Sequence, residues 1–317
     1  MAETKRVVVA AELRPFIDAV ERPDDVQIEW VSASEPLPEG GHVGLLPLLS
    51  REVDESVLER LPDLKVVANY AVGYDNIDVE ALTARGVAVS NTPDVLTEAT
   101  ADLTWTLILA VTRRVHEAEE LARHGDWAWE PTLLLGMGLG GRTLVVLGAG
   151  RIGQAVGRRA LPFGMDVCYW DRARKPEFEA EVGARRVESL AEALTLADVA
   201  SIHLQLSPET AGLIGAEQLG WLGPDAVLIN TARGGIVDED ALCDALESGR
   251  LRGAGLDVYD GEPRIRGCLK RLSSVVLLPH IGSATEETRR EMFRLAWTNL
   301  MKGIRGQPLV TPIEPTS

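Results

Sequence analysis

The chain has 317 residues, 45% hydrophobic and 25% charged, the balance of a globular protein long enough for two domains with well-buried cores. A formal net charge of −16 argues against nucleic-acid binding, which needs clustered Lys and Arg to neutralise phosphates. No apolar run reaches the length of a membrane span.

The N-terminal run enters a strand directly, without a signal-peptide core. Cys168, Cys243 and Cys268 have no metal-ligand spacing and form no obvious disulfide frame, so no metal is expected and a cytoplasmic location is the simplest expectation. Strands are expected at 6–10, 26–31, 43–46, 65–71 and 87–90, and helices at 13–20, 52–61 and 79–85. This alternation implies a parallel sheet with helices on both faces. One long helix is expected from Leu96 to about Arg123, of a length that suits a connector or an oligomer interface. Glycines 136, 138, 140 and 141 then interrupt regular structure. Further strands are expected at 199–204, 227–231, 255–258 and 275–279, with helices at 190–196, 239–248 and 285–304.

The second α/β stretch opens on Thr143-Leu-Val-Val-Leu-Gly148-Ala-Gly150-Arg151-Ile152-Gly153. A short buried strand, G-x-G-x-x-G and a helix start make a dinucleotide-binding turn. Gly148 would allow the turn, Gly150 the approach of a pyrophosphate, and Gly153 close helix–strand packing. The N–H groups at Arg151 and Ile152 would face the phosphates. The next strand ends at Asp171, 18 residues after Gly153, where a carboxylate accepts hydrogen bonds from a ribose diol and repels a 2′-phosphate. NAD(H) is therefore favoured. NADP(H) stays open, because Arg172 and Arg174 follow.

Three chemistry-bearing residues lie after expected strands, where open α/β sheets place their sites. Arg233 follows 226–232 and precedes two glycines; guanidinium grips a carboxylate through two parallel hydrogen bonds. Glu262 lies in the loop after the strand that leads to Asp257. His280 ends the strand at 275–279, and imidazole suits proton transfer near neutral pH.

The ordered set Gly148–Gly153 with Asp171, Asn230-Thr-Ala-Arg233-Gly-Gly, Asp257 to Glu262-Pro, and Pro279-His280-Ile-Gly-Ser-Ala-Thr285 strongly resembles the D-2-hydroxyacid dehydrogenases over nearly the whole chain. Segments 44–49 and 163–165 are most similar to the glyoxylate/hydroxypyruvate reductase branch. The resemblance implies two doubly wound parallel-sheet α/β domains, Rossmann-like and flavodoxin-like, with a deep cleft between them. The substrate domain would be discontinuous, 1–95 plus 287–317, and the NAD-binding domain would be 96–286. It further implies reversible NAD(P)H-dependent reduction of a small 2-oxo acid to the D-2-hydroxy acid. Arg233 would hold the substrate's carboxylate and carbonyl, His280 would donate the proton, and Glu262 would pair with the imidazole. Val72 and Gly73 would offer backbone N–H groups to the substrate, beside Leu45. Thr97, Leu204, Thr231, Ala232, Asp257 and Gly282 would line the cofactor.

The chain departs from the family at Gln205, where proline is frequent, and in the basic run 264–270. A homodimer through the 96–123 region is implied. Two alternatives stand beside this reading: another 2-hydroxyacid or phosphite-type dehydrogenase, and a non-catalytic NAD(H)-sensing regulator.

Overall fold

The computed structural model describes residues 4–315. The chain folds as two compact units: the residues up to Leu96 together with those from Ser283 onward, and Thr97–Gly282. Each unit is built on a predominantly parallel sheet, the α/β class that the alternating pattern implies.

The first unit has six strands in the order Pro312–Ile313, Ala88–Ser90, Val66–Ala68, His42–Leu46, Lys5–Ala10, Val26–Val31. Successive side chains of a strand point to opposite faces. Val8, Leu45, Val67 and Val89 accordingly share one core with Leu58 and Leu82 from the helices Glu55–Arg60 and Val79–Ala84, and with Leu61 just after the first of them. The final helix, Glu286–Gly303, packs on His42–Leu46 and Val66–Ala68 and buries Phe293, Trp297 and Leu300.

The strand Pro312–Ile313 is antiparallel and escaped the sequence reading, being only two residues long. A buried side chain of the final helix secures it. Asn299 Oδ1 accepts the Val310 N–H at 2.8 Å, while its amide donates to Thr311 Oγ1 at 2.8 Å. Thr311 Oγ1 in turn donates to the Asn91 carbonyl at 2.7 Å.

The second unit has seven parallel strands in the order Val275–Leu277, Gly253–Leu256, Val227–Asn230, Val199–Ile202, Thr143–Leu147, Asp166–Trp170, Arg185–Arg186. Both faces are covered, so its strands read as continuous apolar runs. Val145 and Leu147 face a core with Leu194, Leu242 and Leu246. Leu144 and Val146 face the other, with Leu107, Ile108 and Val111. Strand order reverses beside Thr143–Leu147, and an open α/β sheet takes ligands at the carboxyl ends of the strands flanking such a point.

Three expectations need correction. The single helix from Leu96 to Arg123 is two helices, Thr97–Thr112 and Val115–His124. Arg114 turns left-handed at φ 54°, and the Met137 N–H takes the Thr112 carbonyl at 2.7 Å, so the first helix cannot propagate. The helix expected at 13–20 is a 3-10 helix, Ala11–Ala19, with Pro15 inside it and hence one donor fewer. Cys243 and Cys268, expected to be unpaired, form a disulfide between the helices Glu239–Glu247 and Gly267–Arg271. Tertiary packing makes that pair, which no local spacing announces. The remaining cysteine, Cys168, is buried.

Asn299→Ala strips the tail of its acceptor and should cost about 1–3 kcal/mol, the penalty for leaving buried polar groups unpaired. Hydrogen exchange at Val310 and Thr311 should accelerate in the variant. Unchanged exchange there would show that the tail is held by other means.

Candidate active site

The dinucleotide turn leaves the strand Thr143–Leu147 at Gly148, whose φ is 95°. A Cβ at Gly148 would lie 2.7 Å from the His203 carbonyl oxygen, and one at Gly153 only 2.2 Å from the Gly148 oxygen. A Cβ at Gly150 would meet nothing within 4 Å. Gly148 and Gly153 are thus demanded by the protein itself, whereas at Gly150 the protein leaves a space beside the backbone. Gly150 also caps the helix Arg151–Arg158, whose first N–H groups include those of Arg151 and Ile152. Open space, exposed donors and the positive end of a helix fit a pyrophosphate.

Asp171 follows the strand Asp166–Trp170. Its Oδ1 accepts the Ala173 N–H at 2.9 Å and lies 3.6 Å from Lys175 Nζ. Arg172 adjoins it, and its charge reaches Glu209. Leu204 packs at the carboxyl end of Val199–Ile202, next to Gly148. Thr97 starts its helix, and Glu98 in the same turn and Asp102 one turn later both bind Arg159, at 2.7 and 2.8 Å. Thr231 Oγ1 meets Thr104 Oγ1 at 2.9 Å, tying that helix to the end of Val227–Asn230.

The segment after Val227–Asn230 is turned by Asn230, whose Oδ1 accepts the Ala232 N–H at 3.0 Å and whose amide donates to the Arg233 carbonyl at 2.9 Å. Arg233 Nη1 donates to the Ala232 carbonyl at 2.8 Å. Gly234 then passes so close to the next loop that a Cβ would fall within 2.3 Å of the Tyr259 and Asp260 backbone.

His280 Nδ1 donates to Glu262 Oε2 at 2.8 Å. Glu262 Oε1 accepts the Tyr259 N–H at 3.0 Å, which fixes the carboxylate's orientation. Burial pushes the Glu262 carboxyl up, yet it ends below its ordinary value because the His280 hydrogen bond and charge, the Tyr259 N–H and Arg233 outweigh burial. His280 itself has φ 56°, rare for a residue with a side chain. Asp257 holds it there: its two oxygens accept the Ile281 and Gly282 N–H groups at 2.8 and 2.7 Å. The sequence reading gave Asp257 and Gly282 to the cofactor; the structure bonds them to each other. Burial pushes the Asp257 carboxyl up, against the Ile281 N–H, the His280 charge and the Gly282 N–H. His203 is unsuited to acid chemistry: burial pushes it down to about 3, and its Nε2 lies 2.8 Å from Ser201 Oγ.

In the first unit, Leu45 is buried in its strand and Val72 and Gly73 sit in the loop after Val66–Ala68. Two bonds from outside the loop orient it. The Thr92 N–H donates to the Ala71 carbonyl at 2.9 Å, and the Asn91 amide to the Val72 carbonyl at 2.7 Å. A trans peptide sets its N–H opposite its C=O, so the Val72 and Gly73 N–H groups point together away from both anchors. Asn69 adds a third tie, to the Gly73 carbonyl at 2.9 Å. Sequence reading missed Asn69 and Asn91, because a side-chain amide in a loop signals nothing until its acceptor is known.

The glycine geometry generates a paired test. Gly150→Ala should leave the melting temperature unchanged and weaken dinucleotide binding at least about tenfold, since only the space over the turn is filled. Gly153→Ala should lower the melting temperature through a backbone clash. Equal binding by wild type and Gly150→Ala, in titrations followed by reduced-dinucleotide fluorescence, would remove the pyrophosphate from this turn.

Residues 105–282 match the family described as D-isomer specific 2-hydroxyacid dehydrogenase, NAD binding domain. A glyoxylate reductase of Thermococcus litoralis is 48% identical over 268 residues, covering 83% of this chain and 81% of the relative. Among solved structures, a glyoxylate reductase from Paecilomyes thermophila superposes with a TM-score of 0.83 at 33% identity, covering 99% of each chain. An NADPH-dependent glyoxylate/hydroxypyruvate reductase from Sinorhizobium meliloti, solved with NADP and malonate, gives a TM-score of 0.85 at 33% identity, covering 98% of this chain and 97% of that one. Family model, relatives and fold agree: the chain belongs to the D-isomer specific 2-hydroxyacid dehydrogenases and is an NAD(P)-dependent dehydrogenase.

Proposed function

We propose that this enzyme reduces a small 2-oxo acid of the glyoxylate or hydroxypyruvate type to the D-2-hydroxy acid, reversibly, with NADH. The observation that carries the proposal is the His280–Glu262 pair at 2.8 Å, set at a strand end with Arg233 close enough for its charge to act on Glu262. The names of the relatives support the substrate class.

A bound reduced nicotinamide supplies the hydride. The protein's part is to hold the keto acid and move the proton. Arg233 binds the carboxylate and polarises the carbonyl, drawing charge toward the oxygen as the carbon is reduced. Because Nδ1 of His280 is committed to Glu262, Nε2 delivers the proton to the carbonyl oxygen, and the new C–H and O–H bonds complete the hydroxy acid. General acid catalysis of this kind contributes roughly 10²–10⁴-fold. In the oxidative direction neutral His280 takes the same proton back.

Asp171 favours NADH, although it shares its Oδ1 with the Ala173 N–H and Lys175 lies within ion-pair range. A second copy of the chain is part of the proposal. Trp127, Trp129 and Leu135 are 57%, 79% and 59% exposed after the helix Val115–His124, an apolar surface suited to a homodimer. A cytoplasmic location belongs to the proposal too.

His280→Ala should lower kcat for glyoxylate reduction by about 10²-fold or more while NADH still binds. NADH binding without turnover of glyoxylate, hydroxypyruvate or pyruvate by the wild type would instead favour a sensor. Glu262 is held below its ordinary value and stays ionised near neutral pH, so it is a strong acceptor for the His280 Nδ1–H. Glu262→Gln should lower kcat for reduction by about tenfold or more, the scale of losing one hydrogen bond to a charged group; an unchanged kcat would sink this role. A kcat/KM that clearly favours NADPH would reverse the reading of Asp171, and a monomer in sedimentation would reject the dimer.

A further inference from the structure

Among the described residues two carboxylates are buried, Asp257 and Glu239. The first grips the His280 turn. The second lies outside the proposed catalytic set, at the start of the helix Glu239–Glu247, whose N-cap is already supplied by Asp238. A buried carboxylate is costly unless bonded, so its bonds show what it holds. Glu239 Oε1 accepts the Asp260 N–H at 2.8 Å, and Oε2 lies 3.5 Å from Arg266 Nε. The acids Asp240 and Asp260 also face it, and Arg266 Nη1 reaches Asp240 at 3.4 Å. One turn along the same helix, Cys243 is bonded to Cys268.

The Tyr259–Asp260 peptide therefore lies between two supports. Gly234, the residue after Arg233, packs on that peptide's backbone. Glu239 takes its N–H. The N–H of Tyr259, one peptide earlier, orients Glu262. A shift of this peptide would disturb Glu262 on one side and the Arg233 segment on the other.

We propose that Glu239 is a positioning residue for the acid–base pair: by holding the Tyr259–Asp260 peptide against Gly234, it sets the Glu262 carboxylate on His280 Nδ1. Glu239 touches no reacting atom in this account. The inference rests on reading His280 and Glu262 as the acid–base pair, but its primary test needs no substrate.

Long-range 1H–15N correlation spectra of the full-length protein report the tautomer of neutral His280, with His280→Gln assigning the signal. The wild type should show the Nδ1–H form, and Glu262→Gln should lose that preference. Glu239→Ala should move the ratio about tenfold toward Nε2–H, the scale of losing one hydrogen bond to a charged group. Glu239→Gln, which keeps an acceptor for Asp260, should restore most of the wild-type ratio. Leu246→Ala, a buried cavity on the same helix, should lower the melting temperature and leave the tautomer alone. An unchanged tautomer in Glu239→Ala, or an equal change in Leu246→Ala, overturns the proposal. Should Glu239→Ala not fold, Arg266→Ala removes the same carboxylate's cation and is judged by the same outcomes. Reduction by Glu239→Ala should also show a lower kcat with KM for NADH unchanged. A wild type inactive on every 2-oxo acid would sink the reductase reading alone, because the tautomer decides Glu239 separately.

Discussion

The left-handed backbone at His280 is the constraint on which the rest of the site depends. A side chain in that region costs of order 1–3 kcal/mol unless its surroundings compel it. Here the compulsion is one buried carboxylate. Asp257 at the end of the strand Gly253–Leu256 spends both oxygens on the two N–H groups that follow His280. The strand Val275–Leu277 is hydrogen-bonded beside Gly253–Leu256, so the chain leaving it must turn sharply to meet Asp257. That turn aims the imidazole at Glu262. Strain and aim have the same cause.

The support extends outward in layers. Glu262 is oriented by the Tyr259 N–H, and Tyr259 is anchored by its hydroxyl to the Leu278 carbonyl at 2.8 Å. Burial and the neighbouring carboxylates push the Tyr259 hydroxyl well above its ordinary value, so it stays a donor at every working pH. The Gly234 contact then joins this loop to the segment carrying Arg233. Precise placement of acid–base groups demands such a shell, because a small misplacement far from the chemistry is enough to cost rate.

Much of this was legible in the chain, for a physical reason. In an open parallel sheet, ligands meet the carboxyl ends of strands, and an apolar run followed by glycine or a charged residue marks such an end. Gly148–Gly153, Asp171, Arg233 and His280 are candidates on that ground. What was missed are interactions whose two halves are distant in sequence. Neither the Cys243–Cys268 bond nor the Met137 N–H that ends a helix at Thr112 has a local signature. The strand Pro312–Ile313 is too short to show alternation and exists because Asn299 and Ser90 supply its partners. For Asp257, spacing reveals that a carboxylate stands near a site and not which donors it faces, here the Ile281 and Gly282 N–H groups.

The two buried carboxylates separate what a motif encodes from what a fold must add. Glu262 and His280, proposed as the acid–base pair, are placed by backbone contacts that reach beyond their own side chains. His280 is held from Asp257, Glu262 from Tyr259, and the Tyr259–Asp260 peptide from Gly234 and Glu239. Each link is a backbone N–H given to a carboxylate or a glycine pressed on a peptide, interactions with little torsional freedom. Such links pass a displacement on instead of absorbing it. The loop from Tyr259 to Cys268 is tied at one end to Glu239 and at the other to Cys243. Those two ties bracket Glu262, so its carboxylate is set against His280 Nδ1 by contacts from the helix Glu239–Glu247.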